Sequence, residues 1–153
     1  MYLAEPCFLD LGMSHFASQS KPSNQRLRIL IADDHPVIRK QVRSILESHA
    51  RFDVCGEAYD GAQAIEEAQR LRPDVVILNV SMPVLNGFEA AREIKAKLPT
   101  SAIVILSSNA DKRFIQEARK IGARAYVAKT KAGEALVKAV EAAVTVDEFV
   151  LVE

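Results

Sequence analysis

From Arg26 onward the chain alternates short apolar runs with amphipathic stretches, and the alternation repeats five times. The runs cover 27–32, 52–58, 74–79, 102–107 and 125–129; they are rich in Val and Ile and almost continuously apolar. Such runs suit strands covered on both faces rather than strands with one wet side. Between them the apolar positions recur at helical spacing. Ile38, Val42, Ile45 and Leu46 form one stripe, Ala64, Ile65, Ala68 and Leu71 a second, Phe114, Ala118 and Ile121 another, and Leu136, Val140, Ala143 and Val144 the last. Phe88, Ala91, Ile94 and Leu98 fit the remaining helix less cleanly. Each stripe reads as core. Strands alternating with helices predict an α/β domain: a doubly wound, five-stranded parallel sheet with right-handed crossovers and helices on both faces. A site in such a fold belongs at the carboxyl ends of the strands, where the strand order reverses.

The ends of the chain depart from this pattern. Residues 1–25 have no clean periodicity, and the polar stretch 18–24 contains Pro22, so they read as a loose leader before a domain over 26–145. The tail 146–153 contains Phe149, Val150, Leu151 and Val152 and is too apolar for a solvated end; extension of the last helix and cover for a partner surface both fit it.

The strand ends carry the chemistry. The first run ends in Ala32, Asp33, Asp34, His35 and Pro36. Two adjacent carboxylates repel each other, so a cation is the natural neutraliser, and Mg²⁺ takes one or two protein carboxylates while keeping its waters. The bland alternative is a helix N-cap, Asp34 or His35 leading into Pro36. His35 reads as a loop residue beside that site, since neutral imidazole suits Mg²⁺ less than carboxylate does. The third run ends in Asn79, the fourth in Ser107 and Ser108, the fifth in Lys129. Two acids, an amide, a hydroxyl and an ammonium on one crevice suit a phosphoryl group with a divalent cation.

Composition removes other classes. Twenty basic and twenty acidic side chains cancel in the 153 residues, so no long-range field draws the chain to nucleic acid or an anionic membrane. Lys112, Arg113, Lys120 and Lys131 are interrupted by Asp111, Glu117 and Glu134 and read as a solvated or protein-binding face. No signal-peptide pattern and no run long enough to cross a bilayer is seen, and Cys7 and Cys55 read as reduced thiols, Cys55 in the core. A cytoplasmic address follows.

The segments ILIADDHP (29–36), GEAYDG (56–61), PDVVILNVSMP (73–83), Asn86-Gly87, VILSS (104–108) and GARAYVAK (122–129) resemble the response-regulator receiver domains, more narrowly those of the NarL/LuxR type. The resemblance runs from about residue 27 to 144. It implies the CheY-like, flavodoxin-like strand order 2-1-3-4-5, with Asp33 and Asp34 as Mg²⁺ ligands and the Ser81 carbonyl as a further one. It also implies Ser107 as the switch hydroxyl, Tyr126 as the rotating aromatic and Lys129 as the amine that grips the phosphoryl group. Two positions depart from the family. Asn79 stands where the family has the aspartate that accepts phosphate, and an amide has no anionic oxygen with which to attack phosphorus. Thr130 follows Lys129 where many receivers carry proline after a cis bond; cis and trans are both open here.

The resulting expectation is a non-enzymatic two-component signalling module that is not phosphorylated, retains a weakened Mg²⁺ site and acts by contact. Its partners would be a sensor histidine kinase or an output protein, with a possible homodimer through the fourth helix, fifth strand and fifth helix. No nucleic-acid or membrane partner is expected. A conventional phospho-receiver carrying an Asp-to-Asn change at 79, and a fragment of a regulator with a DNA-binding domain, are the alternatives. A Mg²⁺-dependent phosphohydrolase ranks below them, because no aspartate ends the third run.

Overall fold

The computed structural model describes residues 22 and 24–153, so nearly all of the expected leader, with Cys7, lies outside the described residues. Five strands and five helices fall where periodicity places them. They are β1 (Leu27–Ala32), α1 (Pro36–Glu47), β2 (Phe52–Ala58), α2 (Gly61–Leu71), β3 (Val75–Asn79), α3 (Gly87–Lys97), β4 (Ala102–Ser107), α4 (Lys112–Lys120), β5 (Ala125–Ala128) and α5 (Ala132–Thr145). A single 3₁₀ turn, Lys129–Lys131, joins β5 to α5. The sheet is parallel throughout, but it has six strands in the order 2-1-3-4-5-6, not five. The additional strand, β6 (Val150–Val152), comes from the tail, which neither continues α5 nor hangs free.

The continuous apolar runs are explained by position. Every residue of β3 and of β4 is buried, because helices cover both faces and hydrogen-bonded strands flank both edges. One core lies between the sheet and α2, α3 and α4, with Leu30, Val76, Leu78, Ile103, Ile105 and Tyr126 pointing into it. The other lies under α1 and α5, around Ile29, Ile31, Ile77, Val104, Leu106 and Leu136. Helix α3 fitted a single stripe poorly because it buries Phe88, Ala90, Ala91 and Ile94, a broad face packed on both the sheet and α2. Cys55 is only half-buried, its Sγ 3.4 Å from the Ile29 carbonyl oxygen, and burial pushes the thiol up.

Local signals set the helix starts. Asp60 and Asn86 accept from the backbone N–H groups of Gln63 and Glu89 and so cap α2 and α3. Pro36 stands in the first turn of α1, where its missing N–H costs nothing. The residue before it, His35, is the N-cap, but its side chain makes no capping hydrogen bond. Among the described residues no peptide bond is cis, so the Lys129–Thr130 bond is trans. No helix among them is long and apolar enough to cross a membrane.

The start of α3 is pressed onto the end of β3. A Cβ at Gly87 would lie 2.1 Å from the Asn79 carbonyl oxygen, and the Gly87 N–H donates to Val80 at 2.7 Å. Only a residue without a side chain allows that approach. Gly133 contrasts with it: a Cβ there would meet nothing within 4 Å. Gly87→Ala should therefore lower stability by about 2 kcal/mol or more through overpacking, whereas Gly133→Ala should raise it by up to about 1 kcal/mol through helix propensity. Urea unfolding of both variants checks the pair; equal effects would contradict the close approach.

Candidate functional site

The carboxyl ends of β1, β3 and β5 bring five sequence-selected residues, Asp33, Asp34, Asn79, Ser81 and Lys129, into one crevice. Asp33, just past β1, is 2 % exposed, and Asn79, the last residue of β3, is 4 % exposed. Four donors surround the Asp33 carboxylate. Its Oδ1 accepts the His35 backbone N–H at 2.9 Å, lies 3.1 Å from the His35 Nδ1 and 3.4 Å from the Asn79 Nδ2. Its Oδ2 makes no hydrogen bond of good geometry and lies 2.8 Å from the Lys129 ammonium. Burial alone would raise the Asp33 carboxyl, but the Lys129 ammonium and the His35 N–H outweigh it and hold the group below the ordinary carboxylate range.

The Asn79 side chain is the centre of this arrangement. Its Nδ2 donates to the Ser81 carbonyl at 2.9 Å, to Asp34 Oδ1 at 3.2 Å and to Asp33 Oδ1 at 3.4 Å. Three oxygens thus converge on one nitrogen that has only two hydrogens to give. Oxygen atoms gathered in this way, two of them anionic, are the donor set of a hard divalent cation. By the chemistry of these oxygens the residues fit Mg²⁺, though the Lys129 ammonium already pairs with Asp33 Oδ2 and an amide stands where a third anion would strengthen the site. Formally Asp33 and Asp34 carry −2 and Lys129 +1, so the amide keeps the crevice nearer neutrality than an aspartate would.

His35 stands closer to the acids than a mere loop neighbour, with Nδ1 3.1 Å from an oxygen of each, yet its side chain is 63 % exposed. Sequence reasoning missed Arg39, whose Nη1 donates to the Asp33 carbonyl at 2.7 Å while its Nε binds Glu57 at 3.0 Å. The available signal was its position, one turn after His35 on α1.

Ser107 and Tyr126 form a second, adjoining polar group rather than joining the acids. The buried Ser107 Oγ accepts the Asn109 backbone N–H at 3.1 Å, and the Tyr126 hydroxyl donates to the Asn109 carbonyl. Tyr126 is fully buried, and burial pushes its phenol up, the Ser107 hydroxyl acting the other way. Asn109 links the two and was not selected from the sequence. Parallel pairing sets Ser107 beside Ala128, one residue before Lys129.

Comparison with known proteins decides the family, because the response regulator receiver domain matches residues 29–141. The chain belongs to that family. It is 32 % identical over 119 residues to the transcriptional regulatory protein DegU of Brevibacillus brevis, covering 78 % of this chain and 50 % of that protein. It is 35 % identical over 114 residues to the transcriptional regulatory protein LnrK of Bacillus subtilis, covering 74 % and 52 %. The chain thus spans about half the length of these curated relatives. Among solved structures, a LuxR-family two-component response regulator from Aurantimonas sp. SI85-9A1 superposes with a TM-score of 0.78 at 29 % identity, over 82 % of this chain and 89 % of that one. The receiver resemblance and its NarL/LuxR character are therefore established.

In this receiver the Asp33–Lys129 pair is the buried charge contact whose loss is most readily measured, with 3 % and 16 % of the two side chains exposed. Lys129→Met keeps the apolar stem, removes the ammonium and should cost about 3 kcal/mol by leaving the buried Asp33 carboxylate without its only cationic partner of full charge among the described residues, on Oδ2. Because Asp33 is held below its ordinary value of 3.8, its pairing contributes fully at neutral pH and is lost as the pH falls through the lowered folded pKa. Denaturant unfolding from about pH 7 down to about pH 3 should show the difference between the two proteins closing on acidification. A difference that stays constant would contradict the pairing.

Proposed function

We propose that this receiver is a two-component signalling module that does not accept a phosphoryl group at residue 79 and acts by protein–protein contact. The observation that supports this most directly is the Asn79 amide itself. Phosphoryl transfer to a receiver needs a carboxylate oxygen as nucleophile; here the group at the end of β3 is neutral, and its nitrogen points among Asp33, Asp34 and the Ser81 carbonyl.

Asp33, Asp34 and the Ser81 carbonyl would hold Mg²⁺ in this reading, more weakly than beside an aspartate. The bound ion would neutralise the acids and polarise any phosphoryl oxygen brought to it. Lys129 would hold Asp33 in the absence of such a ligand and turn to an anion when one enters. Ser107 and Tyr126 would form the link from the crevice to the α4–β5 face. Both are buried in a hydrogen-bonded chain through Asn109, an arrangement that has to break for the aromatic ring to rotate. A sensor histidine kinase or an output protein is the proposed partner, and a partner shifts the state of that chain only by its differential affinity for the two states. A homodimer through α4, β5 and α5 belongs to the same proposal.

Incubation with acetyl phosphate or phosphoramidate and Mg²⁺ should leave the intact mass unchanged, while Asn79→Asp should gain one phosphoryl group. A stable phosphoryl adduct on the unaltered chain, mapped to this crevice, would overturn the reading.

A further inference from the structure

Residues 147–152 lie on the outer edge of β5 through four kinds of contact. The backbone pairs in parallel, with Ala125, Tyr126 and Val127 opposite Val150, Leu151 and Val152, and the ladder opens with the Val150 N–H donating to the Arg124 carbonyl at 2.9 Å. Phe149 packs on the core of the α4 side, and the Arg119 guanidinium lies 4.4 Å above its ring centre. Arg124 reaches Asp147 twice, at 3.2 Å to its carbonyl and 3.3 Å to its carboxylate. Val150 and Val152 pack on the opposite core, while Leu151 stays partly open on the α4 side. The family match ends at residue 141, before this strand begins.

These contacts divide the labour that strand addition requires. Main-chain pairing supplies affinity with little regard to sequence, and side chains on alternate faces supply selectivity. Here the selective elements are two arginines of the receiver, one reading an acid and one covering an aromatic ring two positions later, followed by Val-Leu-Val. The strand is only three residues long and its pairs to Arg124 lie at the surface, where an ion pair contributes little. A short strand on an exposed edge is among the weakest parts of a sheet and opens before the core does.

We propose that the outer edge of β5, with Arg119 and Arg124, is a docking groove for an extended segment carrying an acid, then an aromatic two residues on, then alternating apolar residues. Residues 147–152 fill this groove in cis, and a partner bearing such a segment enters by displacing them. The groove is independent of the chemistry at residue 79. It does bear on output, because the occupied edge flanks Tyr126.

The test uses the full chain with Val150→Pro, which removes the N–H that donates to Arg124, and a fluorescein-labelled peptide of sequence TVDEFVLVE as probe. Amide exchange along β5 should rise in the variant, and the peptide should bind it at least ten-fold more tightly than it binds the unaltered chain. Adding Arg124→Glu should weaken peptide binding at least ten-fold. Should the proline variant fail to fold, the double variant Asp147→Asn, Phe149→Ala releases the same segment while keeping every backbone N–H and takes the same measurements. Unchanged β5 exchange, equal peptide binding by released and unaltered chains, or no peptide binding to a chain whose β5 exchange has risen would each overturn the proposal. So would self-association through β6 in the unaltered chain without any peptide binding.

Discussion

Everything at the carboxyl end of the sheet depends on how one buried carboxylate is neutralised. Asp33 is almost wholly removed from water, and an isolated charge in that position would be too costly to keep. The protein surrounds it with the Lys129 ammonium, the His35 backbone and imidazole, and the Asn79 amide. The elements that deliver these groups are the ends of β1, β3 and β5. The parallel order of the strands is thus what brings an acid, an amide and an ammonium together although they are far apart in sequence.

Asn79 changes the character of this balance. Three oxygens face its nitrogen, two from carboxylates, and an anion in its place would add repulsion that only a cation could relieve. With the amide the crevice satisfies itself through internal donors. In the proposed reading this is why the chain signals by contact: the group that would make its state depend on phosphate and metal has become a group that fills the metal's position. Gly87 contributes by letting the α3 backbone approach the Asn79 carbonyl, which fixes where the side chain leaves the strand.

Most of the fold was legible because burial and sequence coincide. The Val- and Ile-rich runs mark strands covered on both faces, so β1 to β5 could be placed within a residue or so, and the stripes at helical spacing mark helices covered on one, which located α1 to α5 without fixing their ends. The sixth strand was not legible. Val-Leu-Val is too short to show a period, and what makes it a strand is the free edge of β5 with Arg119 and Arg124 beside it, which is a tertiary property. At the site, Asp33, Asp34, Asn79 and Lys129 were identifiable from their places at strand ends and Ser81 only through the family resemblance, and the structure gathers them. Ser107 and Tyr126 instead form a neighbouring chain through Asn109, whose backbone is the link and leaves no side-chain signature. Arg39 escaped notice because it acts on a backbone carbonyl, and an arginine on a helix surface is ordinary.

The central claim is that the Asn79 amide takes the place of a cation between Asp33, Asp34 and the Ser81 carbonyl. Its most direct test is the unfolding free energy of the unaltered chain and of Asn79→Asp, each measured in chelator and in saturating Mg²⁺. The account predicts that the variant is the less stable protein without metal and gains clearly more from Mg²⁺, because an added carboxylate both repels its neighbours and completes the ligand set. Equal stability in chelator together with an equal gain from Mg²⁺ would contradict it.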